Sequence, residues 1–157
     1  MAANKSRPAL LNQEEYSTFI RGLELQDVLV LETQAKRIEF PDRNAELGVE
    51  VKTLKTKCKR CADGFTVTAT YELRVTQQTL TGEDRGAVAP TAFGSFRVAF
   101  ELVYTSQVPL SDTLFEVFKA YNLPLNVWPY VRQHVHQQSV LMGLPALVLP
   151  VYRTPGP

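Results

Sequence analysis

The clearest pattern in the chain is a period of two. Phe65, Val67, Ala69, Tyr71, Leu73 and Val75 alternate with Thr66, Thr68, Thr70, Glu72, Arg74 and Thr76. Successive side chains of a pleated backbone point to opposite sides, so alternation of this length predicts a strand with one buried and one wet face. A second such run extends from about Ala92 to Ser106, with Phe96, Val98, Phe100, Leu102 and Tyr104 facing one way and Ser95, Arg97, Glu101 and Thr105 the other. Upstream, Leu23 to Arg37 is rich in Val, Leu and Thr, and its alternation slips near Gln26 and Asp27, which predicts a bulge or a bend. The break Phe40-Pro41-Asp42-Arg43-Asn44 separates it from the run Leu47, Val49, Val51 and Thr53, which then turns basic through Lys55, Lys57, Lys59 and Arg60. Asp63-Gly64 marks a hairpin, because glycine tolerates positive φ. Between the two cleanest strands, Gln78 to Pro90 reads as a long mobile loop carrying Gly82, Asp84, Gly86 and Pro90. Four strands with one apolar face each must be covered by helices or by another sheet.

Helical patterns lie at both ends. Asn12 is placed to cap a short N-terminal helix, with Glu15 at the capping-box position, Leu11 as a staple onto Tyr16, and Gly22 as a left-handed stop. Tyr16, Phe19 and Ile20 share one face, and a helix of about ten residues holds only if that face docks. After Pro109, the caps Ser111-Asp112-Thr113 and Glu116 introduce Leu114, Phe115, Val117 and Phe118. Leu123-Pro124 is read as an interruption, with a second helix starting near Asn126 and Pro129 in its first turn. Val127, Val131, Val135 and Met142 form its stripe, with Tyr130, His134 and Leu141 beside it, and Gly143 and Pro145 end it. Ala146 to Val151 adds a short extended piece.

Composition narrows the function. A chain of 157 residues fits one domain, spanning 1–157 with 1–9 and 152–157 as flexible tails, and 45% hydrophobic with 21% charged residues is ordinary globular composition. A net charge of +1 argues against a nucleic-acid binder and leaves little repulsion against self-association. No stretch reaches the ~20 apolar residues of a membrane span. Met1 to Pro8 lacks the apolar run of a signal peptide, so a cytoplasmic protein without membrane insertion is expected.

Candidate chemistry is sparse. Cys58-Lys59-Arg60-Cys61 is the one metal or redox suggestion, but a structural zinc site needs about four ligands, and His134 and His136 stand two apart on a helix, pointing different ways. The pair is read as two unlinked cysteines near a hairpin, and no metal or cofactor is expected. There is no Gly-rich phosphate loop, activated nucleophile or paired acid/base motif. The inward positions of the two clean strands are apolar apart from Tyr71 and Tyr104, whose buried hydroxyls are expected simply to be hydrogen-bonded. The chain reads as a binding protein and not as an enzyme.

The C-terminal third contains Phe118-x-x-Tyr121-Asn122-x-Pro124, then Trp128-Pro129-Tyr130-Val131-Arg132, then Gly143-Leu144-Pro145-x-Leu147. This resembles the SecB family, in which an aromatic-Pro-Tyr-x-Arg stretch opens the long helix and a Pro-x-Leu run follows it. The resemblance implies an α+β fold: a four-stranded antiparallel sheet with a long C-terminal helix packed on one face, here with a short N-terminal helix added. It also implies a homo-oligomer, usually a tetrameric dimer of dimers, that acts without nucleotide as a holdase for non-native polypeptides. Some relatives serve protein transport by delivering precursors to SecA; others guard antitoxins. The N-terminal helix around Tyr16, the stop soon after Val151 and a wet sheet face of mixed charge place the chain nearer the antitoxin-guarding relatives. The alternative is a dedicated protein-interaction module with one specific partner and no general chaperone activity.

A holdase needs broad apolar surface rather than a precise pocket. The candidate polypeptide-binding residues are Phe40, Phe115, Phe118, Tyr121, Leu125, Trp128 and Met142, chosen because aromatic rings give contact area at low entropy cost and Met adapts to irregular partners. Each has core or subunit interface as its competing role. Arg132 is read as pairing with a carboxylate, reaching backbone carbonyls at an interface, or standing in solvent.

Overall fold

A computed structural model describes residues 12–78 and 89–153. The expected loop therefore lies largely outside the described residues, as does Leu11 with its staple. The elements run α1 (Gln13–Arg21), β1 (Leu23–Arg37), β2 (Glu46–Thr53), β3 (Lys57–Cys61), β4 (Gly64–Gln78), β5 (Thr91–Ser106) and α2 (Asp112–Leu141). The sheet is antiparallel throughout, in the order β1-β5-β4-β2, with β3 also pairing with β4.

The sheet has five strands where four were expected. β2 and β3 together occupy the expected second strand: β2 pairs with Tyr71–Gln78 of β4, and β3 with Gly64–Thr68. The bond from Leu54 N to Thr70 O, 2.9 Å, carries the ladder across the gap. This is one interrupted edge beside a long central strand.

Cross-strand partners share a face, so the registers assign the sides. Phe65, Val67, Ala69, Tyr71, Leu73 and Val75 of β4 and Phe96, Val98, Phe100, Leu102 and Tyr104 of β5 are buried beneath α2. β1 follows β5 with register shifts between Leu25 and Asp27 and between Val30 and Glu32. The first is the bulge that the slip at Gln26 predicted.

α2 is one helix of 30 residues, not two. Pro124 and Pro129 both lie inside it. A proline in a helix interior costs about 3 kcal/mol or more, through the missing N–H and the clash with the carbonyl four residues back. Here those carbonyls belong to Ala120 and Leu125, both exposed residues. The stripe Leu114, Phe118, Leu123, Val127, Val131 and Val135 meanwhile continues past both prolines into the core. Packing decides the outcome over local propensity. Ser111 caps the helix by accepting from Leu114 N at 3.2 Å. At the other end Gly143 has φ 72°, its N–H reaches Val140 O and that of Leu144 reaches Ser139 O, which is a Schellman closure.

Two other glycines have a different role from the one their sequence suggests. Gly22 caps α1 at φ −93°, so it is no left-handed stop; a Cβ there would lie 3.1 Å from Gln107 Cβ, where the chain meets the end of β5. Gly64 begins β4 after the turn Ala62-Asp63, and a Cβ on it would lie 2.0 Å from the carbonyl oxygen of Tyr104. Close backbone approach requires it, not positive φ. Asn12 caps α1 as expected, its Oδ1 accepting from Glu14 N at 3.0 Å.

Candidate functional site

The helix-bearing face is apolar beyond the area that α2 covers. The hydrophobic core under the helix centres on an aromatic cluster: Phe65 stacks on Tyr104 at 5.0 Å between centroids, and Phe118 meets both edge-on at 5.3 and 5.6 Å. Phe19 of α1 closes the cluster at 6.1 Å from Phe118. The short helix therefore docks by its aromatic face, which is what its length requires. Tyr16 beside it hydrogen-bonds Asn122, and burial pushes its hydroxyl up to about 12.

On either side of this core lie uncovered margins. On the β2 side, Leu47, Val49 and Val51 pair with Gln77, Val75 and Leu73, so they face the helix side of the sheet, yet all three are exposed. On the β1 side, Leu25 and Val30 pair with Tyr104 and Phe100 and are likewise exposed. A pocket of about 230 Å³ opens at this margin between Leu25, Tyr104, Phe118 and Asn126. One helix spans the centre of the sheet but not its edges. These strand residues were not among the expected site residues: alternation shows which side a residue faces, not whether the helix reaches it.

The seven residues expected to bind polypeptide fall into three places. Phe118 is fully buried in the aromatic cluster and Trp128 is 8% exposed, packed edge-on against Tyr71 at 6.2 Å and against Tyr152 at 6.1 Å. Tyr121 and Leu125, 50% and 45% exposed and one helical turn apart, stand on the outer surface of α2, and Phe115 is half-buried near its start beside Lys119. Phe40, 59% exposed, and half-buried Met142 come together where β1 ends near the end of α2. Arg37 joins them, donating to Met142 O at 2.7 Å while its guanidinium lies 4.3 Å from the Phe40 ring centroid.

The segment after α2 folds back along the helix and fills part of the β4 side. Leu144, Leu147 and Leu149 are buried, and Leu147 N donates to Ser139 Oγ at 3.1 Å. Arg132 takes the carbonyl-binding role, its Nε donating to Leu149 O at 2.8 Å within the chain.

Among the described residues the titratable groups with shifted pKa values are spread over several places. Burial raises the Tyr71 hydroxyl well above its ordinary value and pushes Tyr104 up to about 12, although Tyr104 accepts a 3.0 Å bond from Asn126 that works in the opposite direction. His134 hydrogen-bonds Thr33 of β1 at 2.7 Å and burial lowers its pKa, whereas His136 turns to the returning segment. Cys58 and Cys61 are free; their partners Val67 and Gly64 lie on opposite faces of the sheet, so the two thiols point apart. Burial raises the Cys58 thiol, against a smaller lowering effect of Arg60, which itself binds Asp112 at the start of α2. Among the described residues no group of His, Cys, Asp and Glu could hold a metal ion. No helix among them is long and apolar enough to cross a membrane.

The opposite face of the sheet is polar and mixed in sign. Arg97 bonds Glu72 at 2.6 Å and lies 3.4 Å from Glu32, and Arg74 lies 3.7 Å from Glu50. A concavity of about 520 Å³ is lined by Arg97, Glu72, Arg74 and Glu50.

No protein-family model and no curated protein sequence matches the chain. Among solved structures it is similar to the Mycobacterium tuberculosis Rv1957 SecB-like chaperone in complex with a ChAD peptide from the Rv1956 HigA1 antitoxin. The match covers 92% of this chain and all of that one, at a TM-score of 0.72 and 16% sequence identity. The chain has a SecB-like fold.

Proposed function

We propose that the chain is an ATP-independent chaperone that holds non-native polypeptide on the helix-bearing face of its sheet. The observation that carries this reading is the uncovered apolar surface of that face, Leu47, Val49 and Val51 on one margin and Leu25 and Val30 on the other. Exposed apolar surface of this kind marks an interaction site, and its breadth suits many weakly bound segments better than one small ligand. Phe40 and Met142 extend the surface at the end of α2, and Tyr121, Leu125 and Phe115 extend it over the outside of the helix. A client reaches Phe118 and Trp128 only if the core opens, so they act as its support. The role is binding without catalysis and without a cofactor.

The same surface serves assembly. Exposed Tyr121 and Leu125 on α2 and the apolar β1 edge at Leu29 and Leu31 also suit a homo-oligomer, a dimer of dimers. The reading places the chain in the cytosol. The export-type relatives that the chain resembles dock SecA on an acidic sheet surface, whereas the charge around Arg97 is mixed in sign, which favours protection of an antitoxin over delivery to the export motor.

The test is dilution of a chemically unfolded, unrelated protein into buffer with and without the chain, with no nucleotide present. Suppressed light scattering at near-stoichiometric ratio, by a chain that elutes as an oligomer, supports the reading; a monomer that leaves scattering unchanged overturns it. A second reading, a dedicated module with one partner, is favoured by the similar chaperone being held with a peptide of a single antitoxin. It predicts no effect on unrelated proteins and one tightly bound partner in a pull-down.

A further inference from the structure

Three side chains one helical turn apart on α2 read the main chain of the returning segment. Trp128 Nε1 donates to Pro150 O at 2.7 Å, and Arg132 Nε to Leu149 O at 2.8 Å. His136 Nδ1 lies 3.3 Å from Leu147 O, a contact that needs the proton on Nδ1. Spacing of four residues puts the three donors in one row along the helix. The acceptors are all carbonyl oxygens, which every polypeptide carries. Side-chain selection is confined to alternate positions: Leu149 is 1% exposed, whereas Val148 beside it is 74% exposed. The site thus specifies an extended backbone with apolar-x-apolar spacing and accepts any residue between.

We propose that the groove beside α2 on its β4 side is a binding site for extended polypeptide segments with apolar residues at alternate positions, and that residues 144–152 occupy it in cis. The proposal rests on the chaperone reading and names the mode of recognition: main-chain carbonyls read by Trp128, Arg132 and His136. Residues 144–152 leave the groove by pivoting at Gly143, whose left-handed backbone forms the joint with the helix. The segment is tied down by side chains rather than by a strand ladder, so a client strand of the same pattern replaces its contacts one for one. A tethered competitor acts at an effective concentration on the order of millimolar. It lowers the apparent affinity of any competing segment, and yields to a free segment supplied at about millimolar concentration or above, or to a long unfolded chain that also grips the exposed margins.

The test uses the full chain and a free peptide with the sequence of residues 144–152, Leu-Pro-Ala-Leu-Val-Leu-Pro-Val-Tyr, with a control peptide in which the counterparts of Leu147 and Leu149 are serine. Affinity is measured by calorimetry, and amide hydrogen exchange of 144–152 in the chain is followed at saturation. The peptide is expected to bind, the control not to, and the chain's own segment to exchange faster when the peptide is bound. Leu149→Ala in the chain weakens the tethered competitor and leaves the donors intact, so the peptide should bind it about tenfold more tightly. Peptide binding with unchanged exchange of 144–152, or with equal affinity for the variant, overturns the groove. The wild-type exchange result decides alone if the variant does not fold. A chain that suppresses aggregation while its segment stays protected overturns the groove only; one that binds neither peptide nor unfolded protein overturns the chaperone reading as well.

Discussion

Arg37 at the end of β1 donates to the carbonyl of Met142 across 2.7 Å, tying the first strand to the cap of the long helix. The same guanidinium lies over the Phe40 ring, so one side chain holds together two residues of the proposed client surface. Replacing it removes a charge-assisted hydrogen bond and a cation–π contact at a partly solvated site. Arg37→Ala should lower stability by about 1 kcal/mol and weaken client binding. Urea unfolding with an unchanged slope, paired with titration of an unfolded protein, checks both.

Core and surface aromatics should separate cleanly. Phe118 touches Phe19, Phe65 and Tyr104, and Phe118→Ala leaves a cavity in that cluster, so a loss of about 3–5 kcal/mol is expected. Tyr121→Ala and Leu125→Ala should change the unfolding free energy of the protomer by less than about 0.5 kcal/mol while weakening assembly or client binding. Denaturant titration and size-exclusion chromatography of the same variants give the two readouts.

The two glycines in the sheet offer a steric contrast. Gly64→Ala drives a methyl against the backbone of Tyr104 and Thr105, which cannot move without parting β4 from β5, and a loss of about 3 kcal/mol or more is expected. At Gly48 the nearest atom is Thr76 Oγ1 at 2.9 Å, the end of a side chain that can turn. Gly48→Ala should be the milder change, and comparison of thermal midpoints decides it.

His134 makes stability depend on pH. Burial holds its folded pKa below the ordinary 6.5, so between those two values the unfolded chain binds the proton more readily than the folded one. The stabilising contribution of the neutral ring is complete above about pH 6.5 and declines as pH falls through that window. The wild type should therefore lose more stability between pH 7.5 and 5.5 than His134→Gln does. Equal losses in thermal midpoint would show that the ring titrates as it does in water.

Much of the fold is legible in the sequence because alternation carries it. β4, β5 and the bulge in β1 follow from the period of two and its slip at Gln26. The unbroken α2 is not legible: Pro124 and Pro129 argue for a break, and only the tertiary stripe from Leu123 to Val135 outweighs them. The glycines mislead for a related reason. Positive φ is a local property that sequence can suggest, whereas the approach of Tyr104 O to Gly64 is a contact across 40 positions. The candidate site is legible in type but not in place. Aromatic residues near the helix start divide between core and surface by which side of α2 they occupy, so Phe118 goes in and Tyr121 out. Leu47, Val49 and Val51 show a strand's apolar face in the sequence, and only the finite width of one helix leaves them uncovered.

The most direct measurement is calorimetric titration of the chain with a permanently unfolded polypeptide, such as a reduced and carboxymethylated protein, and with the native form of that same protein. Nucleotide-independent binding of the unfolded form is expected, with a negative heat-capacity change from apolar burial, and none of the native form. Failure to bind the unfolded form, or equal binding of both, would contradict the chaperone reading.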